Sequence, residues 1–354
     1  MKGASHMKYI GYIGTYTKKN SKGIYSFELD TEASKITNVK VAATIGSPTY
    51  LNISEDKQYL YSVAKSGENG GVASYAIDKN TGELTFLNQQ LTPGANPCHV
   101  NTDKKHRYLF TTNYHKGTVD SYLIDQENGK ISPTVSTIQH TGSGPDPRQE
   151  KAHIHYSGMT PDEKYLAVVD LGSDLLTTCT VSEQGDLSEV NRLALPAGSG
   201  PRHLTFHPKR KDIAYLATEF SSQVVVLKYD SDDESFSILQ SIGTIPGDFT
   251  ENNQGSAIHI SADGKYVYSG NRGHNSIAIF KTDDETGKLS FVETTPSEGD
   301  WPRDFVLDPT EKFLIVANQE SDNLVLFSRD SETGKLTLVQ KDIEAPEAIC
   351  IKFL

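Results

Sequence analysis

Apolar-aromatic segments of one type recur along this chain at a nearly constant interval. They follow turns such as Glu-Asp-Lys or Asp-Gly-Lys and begin at Tyr59 (YLYSVA), Tyr108 (YLFTTN), Tyr165 (YLAVVD), Tyr215 (YLATEF), Tyr266 (YVYSGN) and Phe313 (FLIVAN). The successive gaps are 49, 57, 50, 51 and 47 residues. A period near 50, filled by short β-branched and aromatic runs with no sustained 3.6-residue apolar stripe, specifies an all-β propeller rather than a helical solenoid.

The second repeat shows one blade. Gly46-Ser47-Pro48 is a turn, YLNIS a first strand and YLYSVA a second; a Gly-rich turn then leads to VASYAID, and ELTFLNQQ is the fourth. Each run is bounded by Gly, Pro, Asn or Asp, so four antiparallel strands per repeat are expected. The closing turns read NTGEL, ENGKI, ETGKL and ETGKL, with a glycine where positive φ is needed. The chain opens on a second-type strand, YIGYIGTY, and ends on a first-type strand, AICIKF. The last strand is therefore expected to complete the first blade, making a seven-bladed ring with no open edge. One domain over residues 7–354 follows, with residues 1–6 read as a tag remnant ahead of Met7.

The formal net charge of −12 opposes nucleic acid and anionic membranes as partners. Cys98, Cys179 and Cys350 are widely spaced and odd in number, which fits a reducing cytoplasm and neither a disulfide framework nor a structural zinc. No apolar run approaches membrane-spanning length. A monomer or weak dimer is expected.

Aligning the repeats on the turn before the innermost strand puts Thr49, Cys98, His155, Arg202, Ser256, Arg303 and Glu347 at one position. Antiparallel pairing brings the ends of the second strands to the same mouth: Lys65, Asn113, Asp170, Glu219, Asn271-Arg272 and Asn318. One rim is thus expected to gather His155, Arg202, Arg272, Arg303, Glu219 and Asp170 with Asn113, Asn271 and Asn318. The 57-residue gap marks an insertion, Thr141 to His155, that enters the same rim and adds Arg148, Gln149 and His153. The turns at the opposite mouth read as solvated.

Arginines at one position two blades apart suit bidentate recognition of carboxylate or phosphate, the competing reading being rim salt bridges. His155 suits general acid–base work, or simply a hydrogen-bonded strand start. Glu219 stands where other repeats end on Asn or Asp, and reads as a base, or as the anchor of His155 or an arginine. The Asn/Asp set could instead hold Ca²⁺, but three arginines at the same mouth oppose a cation, so no metal and no cofactor is expected. Trp301 either packs between blades or flanks a ring-shaped substrate. His106, His203, His207 and His259 are assigned to packing or turns.

The stretches YIGTYT with GIYSFELD, HIHYSGMTPDEKYLAVVDLGSD, GSGPRHLTFHP with YLATE, SADGKYVYSGNRGHNSIAIF, and WPRDFVLDPTEKFLIVANQESDNLVLF cover nearly the whole chain. In them it resembles the lactonase-type seven-bladed propeller family, which includes a bacterial 6-phosphogluconolactonase and fungal carboxymuconate-lactonising enzymes. The resemblance implies catalytic roles for His155, Arg202, Glu219 and Arg272. Ala152 and Thr218 depart from the family pattern, which has Pro and Asn there. Substrate contacts are expected from Arg303, Asp170, Asn113, Asn271, Asn318, Arg148 and His153. The implied activity is metal-independent hydrolysis of a sugar lactone, most closely 6-phosphogluconolactone, with a small anionic substrate as the partner. Lactonising cycloisomerisation of a carboxymuconate-type acid on the same arginines is the alternative. A non-catalytic interaction propeller is the third reading, for which an apolar rim would be expected.

Overall fold

The computed structural model describes residues 7–354; the expected tag remnant lies outside the described residues. Seven four-stranded antiparallel sheets form, and six of them use four consecutive strands. Blade 1 is the split one: Ala348–Phe353 lies innermost, followed outward by Lys8–Thr15, Gly23–Asp30 and Lys35–Thr44. Register pairs Gly11 with Phe353 and Ile13 with Ile351, so the two chain ends are hydrogen-bonded into one sheet. The innermost strands of blades 2–7 are Leu51–Ile53, His99–Thr102, Ile154–Met159, Pro201–Phe206, Gln254–Ile260 and Pro302–Leu307. Each touches its neighbours, and Ala348–Phe353 bridges Pro302–Leu307 and Leu51–Ile53, closing the circle round a channel.

The core lies between blades. Seven apolar clusters occur, one at each blade–blade interface. At the closing interface Ile13, Phe27 and Leu29 of blade 1 meet Ile315, Leu324 and Leu326 of blade 7. Second strands are therefore buried on both faces: every residue of Phe313–Asn318 is buried, and the run reads FLIVAN instead of alternating. The outermost strands alternate toward solvent and leave Phe86 and Phe291 about half exposed (52% and 49%).

Polar latches link successive blades. The buried Tyr12, Tyr61, Tyr215 and Tyr268 hydroxyls donate to the carbonyls of Gly82, Gly129, Gly287 and Gly334 in the next blade, at 2.7, 3.1, 2.7 and 2.6 Å. These are the glycines of the repeated closing turns; Gly129 has φ of 74°, and a Cβ there would stand 2.3 Å from the Tyr59 ring. Tyr215→Phe leaves the Gly287 carbonyl without its partner. The expected cost is about 1–3 kcal/mol, read from the urea midpoint, with activity unchanged because the latch is remote from the channel.

Candidate active site

A local irregularity aims the functional side chains. The innermost strands are bulged where they leave the mouth: register skips His155 (Ile154 pairs Asp170, Tyr156 pairs Val169), Arg202 (between Pro201 and His203) and Arg303 (between Pro302 and Asp304). A bulged residue makes no ladder pair and is turned off the pleat, here toward the channel.

These bulges border a cavity of about 500 Å³ at the mouth, lined by Thr49, Cys98, His155 and Arg303 from first strands, and by Lys65, Tyr114, Glu219 and Arg272. Tyr16, Lys18, Ser47, Asn96, Pro97, His115 and Gln254 complete its wall. Below it the channel narrows to a constriction of about 10 Å³ bordered by His155, Arg202, Arg303 and Ile349. Arg202 is 3% exposed, and its Nε and Nη1 have no hydrogen-bond partner. Burial, then the like charges of Arg272 and Arg303, push its guanidinium down to about 9, so it stays a cation at neutral pH. A buried cation with idle donors is the signature of a site built to receive an anion.

Arg272 is held on three sides. Its Nη2 donates to Glu219 Oε1 at 2.5 Å and to the Gly255 carbonyl at 2.8 Å, and its Nε donates to the Gln254 carbonyl at 3.3 Å. Glu219 Oε1 also lies 3.5 Å from Arg202 Nε. The carboxylate thus ties two arginines of adjacent blades together through one oxygen. His155 is 5% exposed and its Nδ1 has no partner. Burial, and then the fields of Arg202, Arg303 and Arg272, hold its imidazole well below the ordinary range, so the ring is neutral at pH 7. Burial raises the Cys98 thiol against the pull of Arg202 and Arg303, so it is protonated at neutral pH and unsuited to be a nucleophile.

The family model for the lactonase seven-bladed β-propeller matches residues 10–353. The chain belongs to that family. It is 51% identical over 347 residues to a 6-phosphogluconolactonase of Bacillus subtilis (strain 168), covering 98% of this chain and 99% of that protein. A crystal structure of a Lactobacillus plantarum protein superposes with a TM-score of 0.94 at 44% identity, covering 98% of this chain and all of the other (100%). The periplasmic gluconolactonase of Pseudomonas aeruginosa superposes with a TM-score of 0.92 at 30% identity, covering 98% and 99% of the two chains.

In this lactonase propeller several residues expected at the rim lie elsewhere. The second strand of blade 5 ends at Thr218, which pairs with Pro201 as Asp170 pairs with Ile154 and Asn318 with Pro302. Glu219 is therefore the following residue, in the position Arg272 holds after Asn271. Asp170, Asn113, Asn271 and Asn318 do not line the cavity; they hold turns and neighbouring loops. Asp170 accepts from the His153, Gly172 and Ser173 amides at 2.9, 3.0 and 3.1 Å and pairs with His140 at 2.8 Å. Asn113 accepts from Lys116 N–H and donates to the Ala95 carbonyl. Asn271 donates to the Thr244 carbonyl, and Asn318 to that of Ser297. Short polar side chains recur there because they close a tight turn.

One first-strand position, Glu347, falls outside the expected alignment. Glu347 lies off the channel and accepts from the Lys18, Lys19 and Ser21 amides, bracing the loop that brings Tyr16 and Lys18 to the cavity. The bulged residue of blade 1 is Ile349. Ser256 holds the aligned position in blade 6, but its hydroxyl turns to the Pro302 carbonyl at 2.8 Å.

Of the insertion only His155 lines the cavity; the rest braces the mouth from outside. Gln149 is buried against the Leu171 carbonyl and Asp174. His153 stacks on Tyr114 at 4.0 Å between ring centroids and bonds the Tyr114 carbonyl. Arg148 pairs with Asp146 and covers the Phe220 ring, beside the mouth rather than in it. Trp301 flanks Arg272 at 5.5 Å and is not in the cavity wall. Sequence reasoning missed Tyr16, Lys18, Tyr114, His115 and Gln254. The available signal was the residue just after each strand-two end, where Tyr16, Tyr114, Glu219 and Arg272 align.

Proposed function

We propose that this protein hydrolyses a phosphorylated sugar lactone, 6-phosphogluconolactone being the best fit, by direct attack of water. The observation that carries this is Arg202: a buried guanidinium with two idle N–H donors at the floor of a cavity that His155 also lines. Lys18, Lys65, Arg272 and Arg303 against the single carboxylate Glu219 make the wall cationic in a chain of net charge −12, which selects an anionic substrate. The two lysines reach the cavity from outside the channel and suit the phosphate. The deeper arginines suit the lactone carbonyl, whose oxygen gains charge in the transition state.

His155 is the general base of this reading. Its neutral ring has a free lone pair, whereas Glu219 is engaged with Arg272 and serves to hold the two guanidinium groups in place. Water loses a proton to His155 as its oxygen bonds to the carbonyl carbon. The tetrahedral intermediate collapses with cleavage of the ring C–O bond, and the imidazolium returns the proton to the departing alkoxide. The bound phosphate offsets the arginine field that otherwise disfavours imidazolium. Activity without metal is part of the proposal: the arginines supply the positive charge, and prolonged dialysis against EDTA is expected to leave the rate unchanged. A cytoplasmic location is supported by three unpaired cysteines, Cys98, Cys179 and Cys350.

The deciding experiment compares purified protein on 6-phosphogluconolactone, gluconolactone and a carboxymuconate-type acid. Hydrolysis of the first well above its spontaneous rate, with a higher kcat/KM than for the second, is expected. Turnover of the muconate alone would transfer the site to the lactonising reaction, and no turnover of any would sink the enzymatic reading.

A further inference from the structure

The far end of the channel also holds a chamber. Beyond the constriction lies a separate cavity of about 170 Å³, formed by residues further along the same innermost strands. Its wall includes His99, Tyr156, His203 and Lys352. His203, which the sequence assigns to packing, faces this channel.

Several donors in its wall are uncommitted. His99 is 1% and His203 7% exposed, and one ring nitrogen of each, Nδ1 and Nε2 respectively, has no partner. Their rings lie 5.5 Å apart. Lys352 Nζ makes one hydrogen bond, to the Tyr50 hydroxyl at 3.3 Å, although an ammonium group carries three donors. By contrast, Asn52 Oδ1 accepts from the Thr102 hydroxyl and Asn101 Oδ1 from the Asn52 amide. Asp304, the nearby carboxylate, accepts from the Ile351 N–H at 2.8 Å through Oδ2, and its Oδ1 lies 3.5 Å from Nε2 of His259, another wall residue. Burial, and then the positive fields of Lys352 and Arg202, hold both histidines neutral.

The geometry points to a second binding site, for a small oxyanion of the size of inorganic phosphate, in this distal chamber. Lys352 supplies the charge, and the His99 and His203 rings supply directed N–H donors from two blades. A cation would meet the Lys352 ammonium. Among the described residues no group of three or more His, Cys, Asp or Glu side chains is arranged to hold a metal. This assignment is independent of what the upper cavity hydrolyses.

The test uses the full-length protein labelled with ¹⁵N-histidine and titrated with inorganic phosphate at constant ionic strength, with chloride as the control. Saturable shifts of the His99 and His203 ring nitrogens, absent with chloride, are expected. Lys352→Met should weaken that response at least tenfold while leaving the His155 response and lactone hydrolysis unchanged. Silent His99 and His203 resonances in the wild-type protein would overturn the proposal without any variant. So would an undiminished response in folded Lys352→Met. Should that variant fail to fold, Lys352→Gln is read in its place. Loss of hydrolysis alone, with both distal histidines still responding, would count against the upper-site reading only.

Discussion

Replacing Arg202 by methionine is expected to lower kcat/KM for 6-phosphogluconolactone by about 10²- to 10³-fold, the cost of removing one well-placed donor to a developing oxyanion. Methionine keeps most of the buried volume, so the folded population should change little and circular dichroism should match wild type. Arg202→Lys is expected to recover only part of the rate. An ammonium group is a point charge and cannot present the two idle donors, Nε and Nη1, from one plane. The assay is alkali uptake at constant pH with the spontaneous rate subtracted. Unchanged kcat/KM in Arg202→Met would remove the anion-receiving floor from the mechanism.

The second large effect is at His155. His155→Gln is expected to lower kcat by about 10²- to 10⁴-fold with a smaller change in KM, because the imidazole moves a proton while the cations hold the substrate. The pH profile carries the sign. The neutral ring is the active form, and its affinity for a proton is depressed by burial and three arginines. Activity in kcat/KM is therefore full above the ordinary imidazole range, persists below it, and is lost only as pH falls through the depressed value. An acid limb at or above about 6.5 that vanishes in His155→Gln would contradict the field described for this site. Retention of wild-type kcat in the variant would pass the role of base to Glu219, whose Glu219→Gln variant then becomes the decisive one.

The fold was readable because a propeller is a local object repeated. Hairpins such as Asp78–Leu84 and the double-faced burial of runs like FLIVAN are set by residues within one repeat, and the interblade latch falls on the same glycine each time. The split blade was legible from the strand types at the two ends, since an unpaired innermost edge would be costly.

The site was readable in part. The residue after a short turn could be picked out on six of the seven repeats, and His155, Arg202 and Arg303 were found that way. The same alignment put Glu347 on the channel, where Ile349 stands, because it was anchored on Pro346, while the residue that holds the place of Pro201 and Pro302 in the ladder is Ala348. Asp170 and the asparagines were assigned to the substrate since they are polar and near the mouth. Their side chains are consumed by backbone N–H and C=O groups of the turns they close, a demand invisible without the turn geometry.

Sequence alone determined the number of blades, their strand order, the closure of the ring and the chemical types converging on one mouth. Those follow from periodicity, turn residues and alternation, which act within a few residues of each other. Only the tertiary structure decided how the polar groups are partnered: Arg202 ion-paired but with two donors lacking a hydrogen bond, Arg272 engaged, Glu219 shared between them, and a second set of idle donors at the far end. Hydrogen-bond satisfaction is a sum over atoms hundreds of residues apart, so it exists only once the seven sheets have met.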